Sequence, residues 1–240
     1  MMLTDKSKRS NEEALAEFEL FSNLSAETVR DLSRRCRWHR FGMHQPIVEY
    51  QDSTRDVYFI IEGRVRAIYF SVSGREVSFS ELPAGEMFGE IAAIDGQPRS
   101  VSVVALTDTL VAAMPVSVFW EMLRHHEAAV TAILNRLTRL VRRLSERVVE
   151  FSTLAVRDRI RAELLRLARQ AAHGQNMVIL MPPPTHAELA SRVSTHREAV
   201  TREMCELCRL GIVERQNRAL VVRNVAALAD MVVSVLGEVS

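Results

Sequence analysis

Apolar residues in this chain follow two different periods, and the change between them falls near Pro115. From Arg37 to Pro115 they cluster in short runs such as Val57-Tyr58-Phe59-Ile60-Ile61, Val65-Arg66-Ala67-Ile68-Tyr69-Phe70 and Val101-Ser102-Val103-Val104. Those β-branched and aromatic residues fit a pleated, half-buried surface. Gly63, Ser73-Gly74, Pro83-Ala84-Gly85 and Asp95-Gly96 separate the runs as turns. About eight short strands in roughly 80 residues predict an antiparallel sandwich or roll. Ahead of them, Ser25-Ala26-Glu27-Thr28 marks the capped start of a short helix.

Beyond Pro115 the period is helical. Val130, Leu134, Leu137, Val141, Leu144, Val148 and Phe151 alternate four and three residues apart, the heptad seam of a left-handed coiled coil. Arg136, Arg139, Arg142, Arg143 and Arg147 flank that seam and leave a narrow apolar stripe. The stripe can pack on its own β-roll or on the same helix of a second chain; its narrowness suits the second, a twofold homodimer. Another amphipathic helix runs from Val156 to Ala172, carrying Ile160, Leu164, Leu165 and Leu167, and a polar loop follows from Ala171 to Asn176.

Pro182-Pro183-Pro184 ends a strand, and Thr185-His186-Ala187-Glu188 is a capping box that opens a short helix. Thr195-His196-Arg197-Glu198 repeats the signature ten residues on. Two short helices separated by a turn near Val193-Ser194 predict a helix-turn-helix. Ile212-Val213-Glu214 and Leu220-Val221-Val222 then predict a hairpin with Arg215 and Arg218 near its tip, as in a winged variant. The expected fold class is α+β, in three parts: a β-roll with N-terminal helices over 1–129, a dimerisation helix over 130–153 and a winged helix-turn-helix over 154–240.

Composition narrows the function. With 240 residues, 48% of them hydrophobic, the chain can bury two compact cores. The stretch from Met1 to Asn11 is polar, and no apolar run approaches the roughly 20 residues a membrane span needs, so a cytoplasmic protein with no membrane partner is expected. A net charge of +1 announces no nucleic-acid partner, which leaves local patterning to carry that case. Lysine occurs only at Lys6 and Lys8, a bias that carries no functional weight. Cys36, Cys205 and Cys208 are too few for a disulfide scaffold. Cys205 and Cys208 form an isolated C-x-x-C, open to a zinc or redox role or to two small residues on one helix, and no metal is expected.

In the second helix of the helix-turn-helix, Val200, Met204 and Leu207 share one face, and Arg197, Glu198, Thr201 and Arg202 lie within an arc on the other. Arg donates bidentately to guanine O6 and N7, and Glu accepts from cytosine N4, so this arc can read adjacent base pairs of double-stranded DNA. Glu198 has a second reading as the acidic member of a capping box, and both roles stand. Thr185, His196, Arg215 and Arg218 complete the candidate DNA contacts.

Between the strands stands Phe88-Gly89-Glu90-Ile91-Ala92, followed by Ile94-Asp95-Gly96-Gln97-Pro98-Arg99-Ser100-Val101. Gly89 lets backbone approach a ligand, the turn after it can present N–H groups to an anion, and Arg99 with Ser100 can donate to a phosphate. Glu90 supplies an acceptor for a ribose hydroxyl. Together these residues resemble the phosphate-binding cassette of cyclic-nucleotide-binding domains, and the chain from about Phe18 to Val222 resembles the Crp/Fnr family in its cyclic-AMP receptor protein type.

The resemblance implies a cyclic-nucleotide-responsive transcription regulator. It implies that Glu90 takes the ribose 2′-hydroxyl, that Arg99 and Ser100 bind the cyclic phosphate, and that Gly89, Ile91 and Ala92 line the cassette. It also implies Leu144 and Ser145 as the dimer-helix pair that meets the purine edge, Arg197-Glu198-Ala199-Val200-Thr201-Arg202 as the reader of TGTGA-type half-sites, and RNA polymerase as a partner. Gln51 and Thr54 stand where the family usually has glycines, Val101 replaces the common Ala, and Leu144 cannot hydrogen-bond. Cyclic AMP is the expected effector, and cyclic GMP remains open. Haem sensing through His39, His44, His125 or His126 is a further alternative, whereas iron–sulfur sensing needs an N-terminal cysteine cluster that is not found here. No Ser/His/Asp order, metal motif or P-loop is present, so an enzyme is not expected. A cyclic-nucleotide-binding module acting on a partner other than DNA is disfavoured by the C-terminal helix-turn-helix.

Overall fold

The computed structural model describes residues 11–70, 76–172 and 174–236, so the expected Ser73-Gly74 turn lies outside the described residues. The chain begins with α1 (Asn11–Ala16), a 3₁₀ turn at Glu19–Phe21 and α2 (Ala26–Arg35). Ser25 caps α2 as expected, its hydroxyl accepting from the Thr28 amide at 3.1 Å. Strands β1 (Arg37–Phe41), β2 (Pro46–Val48), β3 (Val57–Glu62), β4 (Arg64–Phe70), β5 (Glu76–Pro83) and β6 (Met87–Phe88) follow. After them come α3 (Glu90–Asp95), β7 (Ser102–Ala105) and β8 (Thr109–Met114).

Two four-stranded antiparallel sheets result, in the orders β1-β8-β3-β6 and β2-β7-β4-β5. Val48, Ile60, Val65, Val103 and Val111 fill the core between them, while Phe18, Phe21, Phe59, Met114 and Phe119 form a second core against the helices. Strand β3 contributes to both, which explains why Val57 to Ile61 is an unbroken apolar run rather than an alternating one. The Asp95-Gly96 turn proves to be the end of a helix: Gly96, at φ +72°, closes α3.

Helix α4 (Val116–His125) leads into α5 (Glu127–Thr153), which carries the heptad seam. Ala129 and Ile133 are buried against the roll, and Leu137 is half-buried on the same core. The other seam residues face outward: Leu134 is 58% exposed, Val141 62%, Leu144 44% and Val148 64%. The chain divides into two compact units between Leu140 and Val141, inside α5.

The second unit adds α6 (Val156–Ala171), β9 (Val178–Leu180), α7 (His186–Arg192), α8 (Arg197–Arg209), β10 (Val213–Gln216), β11 (Ala219–Val222) and α9 (Val225–Leu236). Its three strands form an antiparallel sheet in the order β10-β11-β9. Ile160, Leu164, Leu189, Val193, Val200, Leu207 and Leu228 make its core. Acidic groups inside this unit are paired, as burial requires. Glu203 takes Arg161 at 2.6 Å; Glu163 takes Arg147 and Arg192, each at 3.2 Å, and also Arg166. Among the described residues no helix is long and apolar enough to cross a membrane.

Candidate functional site

The cassette is built on the short connection from β6 to α3. Gly89, at φ +90°, is the N-cap of α3. A Cβ there would stand 2.6 Å from Arg99 Nη1 and 2.7 Å from the Asp56 carbonyl oxygen, so only glycine fits both the conformation and the space. Glu90, Ile91 and Ala92 are the first residues of α3, where backbone N–H groups have no intrahelical acceptor. Ile91 is 38% exposed and Ala92 is buried.

Glu90 is buried, and its Oε1 accepts from Arg136 Nε at 3.0 Å. Arg136, on α5, also donates to Glu86 at 2.6 Å and to the Met87 carbonyl. Burial alone would lower the Arg136 pKa, but the charges and hydrogen bonds of Glu90 and Glu86 outweigh it and hold the guanidinium above its usual value. Glu90 Oε2 is the second acceptor of that carboxylate.

Arg99 is only 2% exposed. Its fork is already engaged: Nη1 donates to the Gly89 carbonyl at 3.2 Å, Nη2 to the Asp56 carbonyl at 2.8 Å and Nε to Thr54 Oγ1 at 3.2 Å. The guanidinium also lies 5.5 Å from the centre of the Tyr58 ring, which stacks on Phe88 at 4.9 Å. Burial pulls the Arg99 pKa down, opposed by Tyr58, Asp52 and Asp56. Burial likewise raises that of Tyr58.

The turn over residues 51–54 wraps the same arginine. The Gln51 amide donates to the Arg99 carbonyl at 2.9 Å, and the Arg99 amide to the Asp52 carbonyl at 2.8 Å. Gln51 adopts φ +67°, the conformation a glycine would take without strain, which costs a residue with a side chain about 1 kcal/mol. Thr54, the other departure from glycine, supplies the acceptor for Arg99 Nε and itself donates to Asp52 at 3.1 Å. Ser100 is exposed beside Arg99, and Leu144 and Ser145 are exposed on α5. Thr54, Asp56, Tyr58 and Arg136 were not singled out from the sequence as site residues; only the flanking position of Arg136 and the unusual Thr54 gave any signal.

In the second unit, Thr185 and Glu188 form the expected capping box of α7. The Thr185 hydroxyl accepts from the Glu188 amide at 3.1 Å and donates to Glu188 Oε2 at 2.9 Å, which commits it to the cap. The second expected capping box is corrected. The N-cap of α8 is His196, with no side-chain cap bond, so Glu198 stands at the second helical position rather than the third that a capping box needs. Arg197, Glu198 and Arg202 are exposed on α8. Thr201 is also exposed, but its hydroxyl donates to the Arg197 carbonyl at 3.0 Å and lies 2.8 Å from His186 Nδ1, fastening α8 to α7.

His186 was missed in the sequence because it is one polar residue inside a capping signature. Burial lowers its pKa, and the charges of Arg215 and Arg197 lower it further. Arg215 and Arg218 are exposed around the hairpin turn, where Asn217 takes φ +35°. A cationic, solvent-facing arc of Arg197, Arg202 and Arg215 is the electrostatic footprint that phosphate and base-edge contacts require.

Profiles of two known domains match these two constructions. The cyclic nucleotide-binding domain matches residues 38–126, and the Crp-like helix-turn-helix domain matches residues 158–231. The chain belongs to the Crp/Fnr family. As a Crp/Fnr transcription regulator it carries a cyclic-nucleotide-binding β-roll, containing Glu90 and Arg99, and a C-terminal DNA-binding helix-turn-helix. It is 30% identical over 216 residues to the cyclic AMP receptor protein of Thermus thermophilus, covering 88% of this chain and 95% of that relative. It is 26% identical over 191 residues to the cAMP-activated global transcriptional regulator CRP of Salmonella typhimurium, covering 78% of this chain and 90% of the other. The solved structure of FixK2 from Bradyrhizobium japonicum superposes with a TM-score of 0.71 at 19% identity, covering 82% of this chain and 96% of that one, a likeness of fold.

Proposed function

We propose that this regulator is switched by a cyclic nucleotide, with cyclic AMP as effector, and that as a homodimer it then grips palindromic DNA with TGTGA-like half-sites. One observation carries the effector reading: the Arg99 guanidinium is bonded to the Gly89 carbonyl at 3.2 Å. This joins the two halves of the cassette, ten residues apart, at the N-terminus of α3. A cyclic phosphate there meets a cation, the exposed Ser100 hydroxyl and the first N–H groups of α3, all donors and all suited to an anion. Glu90, with Oε1 on Arg136, offers Oε2 to the ribose 2′-hydroxyl.

The exposed seam of α5 supports the dimer, since Leu134, Val141, Leu144 and Val148 otherwise leave a long apolar stripe in water. Leu144 and Ser145 are the residues assigned to the purine edge, and Leu144, without a hydrogen-bonding group, keeps cyclic GMP as the competing effector. Ligand then favours one arrangement of the paired α5 helices, which spaces the two recognition helices about one DNA turn, roughly 34 Å, apart. Arg197, Glu198 and Arg202 read bases, while Arg215 and Arg218 hold phosphates. A cytoplasmic regulator that meets RNA polymerase completes this reading.

The test is fluorescence anisotropy on a palindromic TGTGA-like duplex with cyclic AMP, with cyclic GMP and with neither, in wild type and Ser145→Ala. Ligand is expected to tighten specific binding, and Ser145→Ala to lose part of that gain. Equal affinity in all three conditions refutes the switch, and no preference for the palindrome over scrambled duplex refutes the half-site assignment.

A further inference from the structure

We infer that His186 is a DNA-phosphate contact that takes up a proton as the duplex arrives, so that each helix-turn-helix binds DNA and a proton together. The inference rests on α8 and the wing as the DNA face; neither the effector nor the half-site sequence enters it.

The hydrogen bonds at the corner of α7 and α8 settle which imidazole nitrogen is free. Thr201 gives its hydroxyl proton to the Arg197 carbonyl at 3.0 Å, so toward His186 Nδ1, 2.8 Å away, it can only accept. Nδ1 therefore carries a hydrogen and donates it to Thr201 in the neutral ring as in the charged one. In the neutral ring Nε2 is a bare acceptor, which repels a phosphate oxygen. Protonated, it becomes a charged donor suited to one. His186 is half-buried, so the ring is held at the corner while still open to solvent.

Its surroundings keep the free ring neutral. Burial lowers the His186 pKa from its ordinary 6.5, and the charges of Arg215 on β10 and Arg197 on α8 lower it further. The carboxylates on the surrounding elements are engaged elsewhere. Glu188 of α7 bonds the Thr185 cap, and Glu163 of α6 pairs with Arg192 of α7. Asp158 of α6 and Glu203 of α8 both pair with Arg161, Glu206 of α8 pairs with Arg209, and Glu214 of β10 pairs with Arg223. Glu198, Arg202 and the N-cap His196 are exposed on the α8 side, and Arg218 on the wing. An anion that settles at this corner removes the reason for the ring to stay neutral.

A DNA phosphodiester is such an anion. Placed beside Nε2, it offsets the fields of Arg197 and Arg215 and accepts the new N–H, and both effects favour the charged ring. The proton comes from solvent, and no covalent bond in protein or DNA is made or broken apart from that N–H. The complex then holds the proton more tightly than the free protein does. The extra affinity is fully present below the free pKa and is lost as pH rises through the bound one. Each unit between the two is about tenfold in affinity per subunit.

The experiment uses the full-length protein at low salt, on the palindromic TGTGA-like duplex with cyclic AMP and on a scrambled duplex. Anisotropy is measured from pH 5.5 to 8, and the His186 imidazole is titrated by NMR with and without DNA, its resonances assigned through His186→Gln. Expected are a free pKa below 6.5, a bound value about one unit higher, and an affinity that falls about tenfold per subunit across the range. His186→Gln should bind with a flat pH profile, and His196→Gln should keep the wild-type slope. An imidazole pKa that DNA leaves unchanged overturns the proposal, as does a pH dependence that survives His186→Gln or vanishes in His196→Gln. If both duplexes bind equally and both show the linkage, the half-site reading fails and the proton-linked contact stands. Binding to neither duplex at any pH overturns both.

Discussion

Replacing Arg99 by leucine tests whether this arginine is a structural clamp besides being the proposed phosphate contact. The side chain is 2% exposed and satisfies the carbonyls of Gly89 and Asp56 and the hydroxyl of Thr54. Hydrogen bonds to a charged group contribute about 2 kcal/mol each, so their loss costs about 6 kcal/mol. Burying leucine in place of a desolvated cation returns about 3 kcal/mol, which leaves a net loss of about 3 kcal/mol. The reporter is unusually local. Both tryptophans, Trp38 and Trp120, lie in the first unit, and Trp120 Nε1 donates to the Ala93 carbonyl of α3 at 2.9 Å. In urea, with a slope of about 2 kcal/mol/M, the tryptophan transition of Arg99→Leu should move down by roughly 1.5 M. Arg99→Lys, which keeps the charge and can hold one carbonyl, should fall about midway. A shift of Arg99→Leu below roughly 0.3 M refutes the clamp, and loss of cyclic-nucleotide binding in that variant then reports on the ligand contact alone.

Gly89→Ala must accommodate a Cβ 2.6 Å from Arg99 Nη1 at φ +90°, so calorimetry should show weaker cyclic-nucleotide binding and the urea transition a loss of about 2 kcal/mol. Val141→Asp places a charge on an exposed seam position, so sedimentation should show a dimer weakened roughly 100-fold with secondary structure retained. Leu137 is a poorer choice for that purpose because it also packs on its own roll. The lowered pKa of His186 means that the unfolded chain binds its proton more tightly than the folded one, so stability should decline as pH falls below about 6.5; thermal melts of His186→Gln at pH 7.5 and 5.5 should lack that share of the decline. Arg202→Ala should cost about 1–3 kcal/mol on the specific duplex and far less on scrambled DNA, as anisotropy will show.

The elements that were legible in the sequence are those whose signals are local. Alternation and turns marked the roll, a three-and-four repeat marked α5, and Ser25 and Thr185 marked helix starts because a cap is a bond across three residues. The candidate residues of the cassette could be named from the sequence, and the bonds among them could not. Nothing near Arg99 in the chain announces that Thr54 and Asp56, more than 40 residues earlier, hold its guanidinium, or that Arg136 holds Glu90 from 46 residues away. Helix α9 escaped because Val225 to Leu236 is apolar around most of its circumference, which erases the periodic signal. The Thr195 capping box failed for a different reason: the local pattern is present, but α8 starts one residue later, with His196 as its N-cap.

A near-neutral chain can still present a cationic surface, and the pairing of its arginines explains how. In the second unit Arg147, Arg161, Arg166 and Arg192 are taken up by Glu150, Glu163 and Glu203 inside or at the edge of the core. Arg197, Arg202, Arg215 and Arg218 form no ion pair among the described residues and are exposed. Charge is thus neutralised where it fastens helices and left unneutralised at Arg197, Arg202, Arg215 and Arg218. Two of the expected polar contacts, Thr185 and Thr201, also prove to be fasteners, one for the cap of α7 and one for the α7–α8 corner. With their hydroxyls spent, the proposed base reading falls to Arg197, Glu198 and Arg202, three side chains within two turns of one helix. Such a set spans only a few adjacent base pairs, so a single unit discriminates weakly. Under the proposed reading, useful specificity requires a second copy on the other half of a palindrome, and the exposed seam of α5 is suited to bring it.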